Sequence, residues 1–198
     1  MLTVQGLARA GLSVQDFTVN TGECVAVVGP SGSGKTLLLR TLADLDPNTG
    51  EVTIDGVKRS VTPAPMWRRT VTYLAAESGW WAERVGEHFT DVGAAQRLLA
   101  ALGLPTDCLH WPITRLSSGE KQRLALVRAL IQKPRVLLLD EPTAALDKQS
   151  VYAVETVLKD ELTRGITLIW VTHDAEQAER IAHRRLQVQH GIVIVANS

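Results

Sequence analysis

The sequence lacks any apolar run long enough to cross a membrane. A transmembrane helix needs about 18 to 20 consecutive, mostly apolar residues, and no stretch of the 198 residues reaches that length. Residues 1–6 also lack the basic start and apolar core of a signal peptide. We therefore expect a chain that neither enters nor spans a membrane by itself.

Cysteine is scarce, and neither sign of charge is in excess. The two cysteines, Cys24 and Cys108, are too few and too scattered for a disulfide framework or a metal site, so we expect a reducing compartment. Lys plus Arg number 21, as do Asp plus Glu. Without a net field to attract nucleic acid or acidic lipid, any binding of a charged partner must come from a local arrangement of residues.

The most specific pattern in the chain is a glycine-rich loop that ends in lysine and threonine. Residues 29–36 read GPSGSGKT and match the pattern GxxxxGK[ST] in full. Glycines let backbone N–H groups turn toward an anion, and the helix that follows adds the positive end of its dipole. Lys35 supplies charge for the β- and γ-phosphates, and Thr36 offers a hydroxyl to Mg²⁺. The predicted nucleotide-binding residues are Gly29, Pro30, Ser31, Gly32, Ser33, Gly34, Lys35 and Thr36.

The segments on either side of this loop have the patterns of a buried strand and a helix. Residues 23–28 are mostly apolar, and residues 37–43 continue as a helix. A flexible Gly/Ser-rich linker is the alternative, but linkers are not flanked by a buried strand and a helix. We therefore interpret residues 29–36 as a phosphate-binding loop.

Strands and helices alternate along most of the chain. Residues 1–20 alternate apolar and polar side chains, which is typical of two or three antiparallel strands. Buried strands are then separated by helices, a pattern that favours a parallel α/β sheet. We predict one domain, an α/β P-loop NTPase with a mostly parallel central sheet and an N-terminal antiparallel β subdomain. Its predicted parts are the core and β subdomain (1–75 and 134–198) and an inserted helical subdomain (76–133).

Two acids follow the most apolar predicted strand. Asp140 and Glu141 come after residues 136–139, at the strand end where open α/β sheets bind ligands. Asp140 suits the Mg²⁺ shell, and Glu141 suits a base that orients water toward the γ-phosphate. The alternative is two polar residues that only end the strand. His173 follows another strand at the same sheet edge, although alone it would be an ordinary surface histidine.

With three further features, the chain resembles the nucleotide-binding domain of ABC (ATP-binding cassette) transporters over nearly its whole length. Residues 116–123, LSSGEKQR, are similar to the family signature, which usually reads LSGGQ or LSGGE followed by a basic residue, Gln and Arg. Residues 144–147, AALD, resemble the family's D-loop. His173 falls where the family has its switch histidine.

The resemblance implies an ATPase that uses ATP and Mg²⁺ and works as a head-to-tail dimer with a second copy of itself or a paralogous cassette. Each ATP would lie between the phosphate-binding loop of one subunit and the signature of the other. Glu141 and His173 would be catalytic, and Asp147 would act across the dimer. The signature residues implied at the nucleotide are Ser117, Ser118, Gly119 and Glu120.

Three features depart from the family pattern. Ser118 replaces a usual glycine, and its extra Cβ at the dimer seam is expected to reduce activity without abolishing it. The glutamine that usually follows the strand at residues 71–74 is missing, and Glu77 is the nearest substitute as a Mg²⁺ ligand, with a surface acid as the alternative. Residues 1–16 contain no aromatic residue to stack on adenine. Arg9 is the candidate to stack instead, with an exposed arginine as the alternative.

The resemblance points to a separate ATPase subunit that drives an integral membrane permease, located in the cytoplasm as a peripheral protein on the inner face of the cell membrane. The second half of the chain is similar to bacterial cassettes assigned to metal-ion or small-solute efflux, while cargo and direction stay open. The alternative is a soluble ABC ATPase acting on nucleic acid or the ribosome. Such proteins usually carry two cassettes, long coiled-coil inserts or basic tails, which this neutral chain lacks. We therefore expect no nucleic-acid partner.

Two adjacent tryptophans, Trp80 and Trp81, form a candidate docking surface for the permease. Neighbouring residues in an extended loop point to opposite sides, so at least one should be exposed. Met66 and Trp67 follow the prolines of residues 63–65, which predict an extended loop that could enlarge the patch. Tryptophan is enriched in binding hot spots, and the family resemblance implies that this region receives the permease's coupling helix. The alternative is that each tryptophan packs internally.

Overall fold

The chain folds as an α/β protein around one sheet, and the computed structural model describes residues 1–196. The strands are β1 (Leu2–Arg9), β2 (Leu12–Val14), β3 (Phe17–Val19), β4 (Cys24–Val28), β5 (Thr49–Ile54), β6 (Val57–Lys58), β7 (Val71–Leu74), β8 (Val136–Asp140), β9 (Thr167–Val171), β10 (Arg184–Gln189) and β11 (Ile192–Val195). The α-helices are α1 (Lys35–Leu42), α2 (Ala64–Thr70), α3 (Val92–Ala101), α4 (Ser118–Leu130), α5 (Lys148–Thr163) and α6 (Ala175–Ile181). Four short 3-10 segments cover Arg59–Val61, Val85–His88, Thr106–His110 and Ile113–Arg115.

Within residues 1–196, 11 strands form a mixed sheet with a parallel half and an antiparallel half. Strands β10, β4, β9, β8 and β7 pair in parallel in that order. Strand β1 pairs antiparallel with β2, β3 and β5, which confirms the antiparallel strands predicted within residues 1–20. Strand β11 joins the halves, because it is antiparallel to β10 and parallel to β2. The predicted fold class is thereby confirmed.

Apolar side chains fill two cores, one on each face of the parallel strands. Leu137 and Leu139 of β8 lie in a core with α3, α4 and α5, whereas Val136 and Leu138 lie in a core with α1 and the antiparallel strands. This division follows from the two-residue period of side chains along a strand. The helices within residues 76–133 thus share a core with the sheet, and the proposed limits of that insertion stay a prediction.

The prediction of an extended loop at residues 63–65 is wrong. Helix α2 begins at Ala64 after Pro63, with Pro65 in its first turn, where a helix does not need the missing N–H. This helix places Trp67 in the core at 1% exposure, with its Nε1 donating to Leu42 O at 3.0 Å. Met66 is exposed, but Trp67 does not enlarge a surface patch.

Helix α3 starts at Val92, because the Asp91 carboxylate caps it by accepting from Ala94 N at 2.8 Å. Phe89 therefore precedes this helix, and Val92 is exposed. The sequence patterns did not predict α6, β10 and β11. Within residues 1–196, no helix is both long and apolar enough to cross a membrane.

Candidate active site

The phosphate-binding loop is shaped by glycines and tied to the neighbouring hairpin. Gly29 has a φ of 155°, and a Cβ there would come within 2.1 Å of Val188 O, so only glycine fits. Gly34 has a φ of 112° and precedes the first residue of α1. Gly191, in the turn between β10 and β11, donates its N–H to Ser33 O at 2.9 Å. These contacts fix the loop at the carboxyl end of β4.

Lys35, the predicted phosphate-binding lysine, is buried within the phosphate-binding loop. Its Nζ donates to the carbonyl oxygens of Gly29 and Pro30 at 2.9 and 2.8 Å. Burial lowers the pKa of Lys35, with the nearby Glu141 and Asp140 opposing this effect. The buried hydroxyl of Ser33 has no hydrogen-bond partner within residues 1–196, so it is a donor available to a bound anion. The loop therefore offers both charge and hydrogen bonds to phosphate.

Thr36 and Asp140 come together as the predicted Mg²⁺ pair. Thr36 Oγ1 donates to Asp140 Oδ2 at 2.9 Å, and Asp140 is nearly buried at 4% exposure. No group of three or more His, Cys, Asp or Glu side chains in the described part of the chain could hold a metal alone. One hydroxyl and one carboxylate suit Mg²⁺, which commonly takes one or two protein oxygens and completes its shell with water and nucleotide phosphates. The residues therefore fit Mg²⁺ bound together with a nucleotide.

Tyr73 is a member of this site that the sequence patterns did not reveal. Its hydroxyl donates to the same Asp140 oxygen, Oδ2, at 2.9 Å. Burial raises the pKa of Tyr73, and the Asp140 carboxylate adds to that rise. Tyr73 pairs with Leu138 across the strands, so Asp140 is its diagonal neighbour on one face of the sheet and within reach of an aromatic side chain. Tyr73 could have been identified only from the register of β7 against β8.

Glu141 and His173 meet at the ends of adjacent strands. His173 Nε2 lies 2.7 Å from Glu141 Oε1, and both side chains are partly exposed. Glu141 has a φ of 49°, an unusual conformation for a residue with a side chain, and its N–H donates to Val171 O at 3.1 Å. The two side chains line a cleft of about 410 Å³. The structure thus brings the two predicted catalytic residues together.

A buried glutamine links the segments that carry these two residues. Gln177 of α6 is 1% exposed, and its Oε1 accepts from Thr172 Oγ1 at 2.9 Å and from Thr143 Oγ1 at 3.2 Å. Its Nε2 donates to Glu155 Oε1 at 3.1 Å. Thr172 precedes His173, and Thr143 lies two residues after Glu141. Gln177 therefore fixes both strand ends, a role that the sequence did not indicate.

The signature segment forms the start of helix α4. Ser117 caps the helix, since its Oγ accepts from Glu120 N at 3.2 Å. The Glu120 carboxylate in turn accepts from Ser117 N and Oγ, both at 2.8 Å. This reciprocal pair is a capping box, and it lowers the pKa of Glu120. Ser118, which replaces the usual glycine, is exposed.

The first turns of α4 lie against the loop that follows Glu141. A Cβ at Gly119 would lie 3.0 Å from Ala145 O and 3.1 Å from Leu146 Cδ2. Gln122 Nε2 donates to Glu141 O at 2.8 Å, and Gln122 Oε1 accepts from Ala145 N at 3.2 Å. The signature and the D-loop of one subunit are therefore in direct contact.

Asp147 ends this D-loop as the N-cap of α5. Its Oδ1 and Oδ2 accept from Ser150 N at 2.9 Å and Ser150 Oγ at 3.0 Å. The hydrogen bond from the Ser150 backbone is the main cause that lowers the pKa of Asp147. The role of Asp147 across a dimer stays a prediction.

Two predicted candidates do not join these residues. Glu77 is exposed and makes no hydrogen bond or ion pair within residues 1–196. Arg9 is partly buried, and its Nη1 lies 2.5 Å from Asp46 Oδ2, so its guanidinium is engaged by a carboxylate.

The two tryptophans behave differently, as their adjacency predicted. Trp81 is 72% exposed, which confirms that at least one of the pair faces solvent. Trp80 is partly buried and packs against the core of the helical region. The Arg128 guanidinium carbon lies 4.8 Å from the ring centroid of each tryptophan, within range of a cation–π contact. His88 packs edge-on against both rings. Together these residues form a tryptophan cluster beside the sheet.

The fold and the site together define a P-loop ATPase of the ABC type. A family profile described as ABC transporter matches residues 12–144, and the chain belongs to this family. It is 39% identical to the aliphatic sulfonates import ATP-binding protein SsuB 2 of Frankia alni, over 96% of this chain and 78% of that protein. It is 34% identical to the glutamine transport ATP-binding protein GlnQ of Escherichia coli, over 89% of this chain and 80% of that protein.

Solved structures agree with this fold. The ATP-binding subunit of an ABC transporter superposes with a TM-score of 0.87 at 24% identity, covering 99% of this chain and 89% of that one. The dimeric post-hydrolysis state of an ATP-binding cassette bound to ADP and Pi superposes with a TM-score of 0.77 at 25% identity, covering 98% and 96%. The chain is therefore an ATPase that binds ATP with Mg²⁺.

Proposed function

We propose that this chain hydrolyses ATP at a site formed by Lys35, Thr36, Asp140, Glu141 and His173, in order to drive a permease for a small solute. The observation that carries the proposal is the contact between Glu141 and His173 beside the Thr36–Asp140 pair. This arrangement places a candidate base, a histidine and a metal-binding pair at one edge of the sheet. A structural role alone does not explain why so many polar groups converge there.

The phosphate-binding loop and the metal pair hold the substrate in place. Lys35 exchanges its bonds to the loop carbonyls for bonds to the β- and γ-phosphates, and the loop N–H groups donate to phosphate oxygens. Thr36 and Asp140 would hold Mg²⁺, and a bound Mg²⁺ would offset phosphate charge. Because phosphoryl transfer needs positioning more than covalent chemistry, these contacts supply much of the rate enhancement.

Glu141 and His173 act on the attacking water and the γ-phosphate. The Glu141 carboxylate accepts a hydrogen bond from the water and orients it for in-line attack. His173 Nε2 lies 2.7 Å from Glu141 Oε1, and the proposed donation from its imidazole to the γ-phosphate requires this N–H to leave Glu141 when ATP binds. Gln177 supports both residues through Thr172 and Thr143. Catalysis therefore depends on the two strand ends keeping their relative position.

A second cassette completes the site through the signature. Ser117 and Gly119 stand at the start of α4, where the helix dipole favours an anion, although the N–H and hydroxyl of Ser117 are bound to Glu120 in this structure. Because α4 contacts the D-loop through Gln122, closure on a partner's ATP is transmitted to the backbone of Glu141. Ser118, Glu120 and Asp147 lie along the same seam in this proposal. Glu77, which is exposed and lies apart from Thr36 and Asp140 in this structure, is proposed as a further Mg²⁺ ligand within its own subunit.

The permease docks on the tryptophan cluster, which holds the subunit at the inner face of the cell membrane, on the cytoplasmic side. Trp81 supplies an exposed apolar surface, while Arg128 and His88 keep its ring in place. Aromatic side chains with few rotatable bonds lose little entropy on binding. The cluster is therefore a preorganised anchor for a helix of the permease.

The direction of transport that we propose is uptake of a small polar solute. The relatives with 34–39% identity bear names that state import of aliphatic sulfonates or transport of glutamine, and a 36% identical protein of Albidiferax ferrireducens is named for phosphonates import. The efflux of metal ions that the sequence suggested receives no support from these names. Transport assays in right-side-out and inside-out vesicles distinguish the two directions.

Copurification distinguishes a transporter subunit from an ABC ATPase that acts on nucleic acid. A tagged chain is purified in parallel from detergent-solubilised membranes, ribosomes and DNA-bound fractions of its host. We expect a stoichiometric partner with several membrane spans, whose presence stimulates ATP hydrolysis. Recovery with ribosomal proteins or nucleic acid, and none with membrane protein, would contradict the proposal.

A further inference from the structure

We propose that Tyr73 is a positioning residue for the metal site, because its hydroxyl holds the Asp140 carboxylate in the orientation that Mg²⁺ binding requires. Tyr73 donates to Asp140 Oδ2 at 2.9 Å, the same oxygen that accepts from Thr36 Oγ1 at 2.9 Å. The inference rests on the proposed role of Asp140 as a metal-shell residue. It adds a residue that the sequence motifs do not identify.

The register of the sheet explains how Tyr73 reaches the carboxylate. Tyr73 of β7 lies opposite Leu138 of β8, and Asp140 follows two residues later on the same face. The hydrogen bond of 2.9 Å shows that the tyrosine side chain spans this diagonal. The ring is held in place because it packs against the core beneath α1. Tyr73 therefore presents its hydroxyl from a fixed position.

The hydrogen bonds to Asp140 are distributed unevenly between its two oxygens. Both donors, Tyr73 and Thr36, bind Oδ2, and Oδ1 accepts no hydrogen bond from the protein within residues 1–196. The carboxylate is therefore fixed by Oδ2, and Oδ1 would be left for the metal shell. Thr36 uses its proton for Asp140, which leaves the lone pairs of its oxygen for Mg²⁺.

Loss of the Tyr73 hydroxyl would leave Asp140 with a single donor. The nearly buried carboxylate could then rotate about its side chain, and its orientation toward the metal would be less defined. Groups that hold a metal ligand through a hydrogen bond typically change metal affinity about 10- to 100-fold when removed. Loss of the hydroxyl should therefore weaken Mg²⁺ binding and leave the contacts between the phosphate-binding loop and phosphate unchanged.

The test is a Mg²⁺ titration of fluorescent ATP binding to the Tyr73→Phe variant, which keeps the ring and removes only the hydroxyl. We expect the Mg²⁺ concentration at half-saturation to rise about tenfold, with nucleotide affinity in EDTA within about twofold of wild type. Excess Mg²⁺ should restore hydrolysis. Tyr152→Phe, the same change on the exposed face of α5, is the matched control.

Parallel variants separate failure of this inference from failure of the proposed site. If Asp140→Asn shifts the Mg²⁺ titration and Tyr73→Phe does not, the role of Tyr73 is refuted and the site stands. If Asp140→Asn also leaves the titration unchanged, the metal assignment fails and the inference fails with it. An equal loss of nucleotide affinity by Tyr73→Phe in EDTA and in Mg²⁺ would show a merely structural role.

If Tyr73→Phe does not fold, the proposal can still be tested on the protein that keeps Tyr73, by ¹⁹F NMR. The chain has two tyrosines, so incorporation of 3-fluorotyrosine gives two ¹⁹F NMR signals, assigned with Tyr152→Phe. We expect the Tyr73 signal to move between ATP in EDTA and ATP with Mg²⁺, while the Tyr152 signal stays in place. A Tyr73 signal that is identical in both conditions would overturn the proposal.

Discussion

At the scale of single residues, the nucleotide site depends on side chains that are held by neighbours from other elements. Asp140 is held by Thr36 and Tyr73, and Glu141 is held by His173. None of these contacts joins residues that are close in sequence. Each side chain therefore keeps its position only as long as the sheet and its flanking helices stay packed.

Glu77 is the residue whose role is most open to a direct test. Although it is exposed, we expect Glu77→Ala to slow ATP hydrolysis more at low than at high Mg²⁺, because a carboxylate near the metal adds to its affinity. The measurement is the ATPase rate as a function of Mg²⁺ concentration, with the exposed Glu83→Ala as control. An unchanged Mg²⁺ dependence would leave Glu77 as a surface acid.

The residues that the sequence identified are those that belong to local motifs. The phosphate-binding loop, Asp140, Glu141 and His173 follow strands whose apolar patterns are clear, so their common sheet edge was predictable. Tyr73 and Gln177 were missed because their contacts depend on strand register and helix rotation, which one sequence does not reveal. Trp67 was misplaced because Pro65 lies in the first turn of a helix instead of in an extended loop.

At the scale of elements, the contact between helix α4 and the D-loop connects the signature to the catalytic strand. Gly119 lets the helix approach Ala145 closely, and Gln122 bonds both the D-loop and Glu141. The long apolar strands made the parallel sheet easy to predict. The late hairpin of β10 and β11 was not predicted, although its turn supports the phosphate-binding loop through Gly191.

We expect Gly119→Ala to reduce ATP turnover about tenfold, because the D-loop must shift and small displacements near a reacting centre are costly. The added Cβ would lie 3.0 Å from Ala145 O. The measurements are kcat and the melting temperature. The melting temperature should change little. Gly93→Ala, at the start of α3 where a Cβ meets only Asp91 Oδ1 at 3.5 Å, is the matched control. Wild-type turnover in Gly119→Ala would contradict the proposed coupling.

An ion-pair cluster connects the end of β1 with helix α1. Because one of its members is a carboxylate, we expect the stability of the fold to depend on pH. Asp46 accepts hydrogen bonds from Arg40 and Arg9, and the bond from Arg40 is the main cause that lowers the pKa of Asp46. A lowered pKa in the folded state means that the stabilisation is present above the unfolded pKa of about 4 and is lost as the pH falls through the folded value.

We therefore expect Asp46→Asn to lower the melting temperature by about 3 °C at pH 7, and the difference from wild type to shrink below about pH 4. Asp160→Asn, at an exposed acid on α5, should have little effect at either pH. The measurement is thermal unfolding followed by circular dichroism across this pH range. A difference that stays constant down to pH 2 would show that the charge of Asp46 is not the cause.

At the scale of the whole molecule, the catalytic edge of the sheet and the tryptophan cluster are joined through strand β7 and helix α4. Tyr73 lies near the end of β7, and the loop after this strand carries Trp80 and Trp81. Arg128 of α4 donates to Gly79 O at 3.1 Å and stacks on both tryptophans. Movement of α4 on dimer closure would therefore reach the proposed permease dock.

We expect Trp81→Ala to release the subunit from membranes while ATP binding and the melting temperature stay near wild type, because the side chain is 72% exposed and surface changes usually cost less than about 0.5 kcal/mol. Trp111→Ala, at a partly exposed tryptophan stacked by Arg115, is the matched control. The measurement is the fraction of subunit that sediments with membranes containing the permease. If Trp81→Ala sediments with membranes as much as wild type does, the proposed docking surface is wrong.

The central claim is that Glu141 is the base of an ATPase that closes as a dimer on ATP, and Glu141→Gln with Mg²⁺ and ATP tests it most directly. Glutamine keeps the size of the side chain and removes its basicity, so hydrolysis should fall at least about 100-fold while ATP binding persists. Gel filtration with light scattering should then show an accumulated dimer, which Lys35→Ala, unable to hold the phosphates, should not form. Near-normal turnover in Glu141→Gln, with no ATP-dependent dimer, would contradict the account.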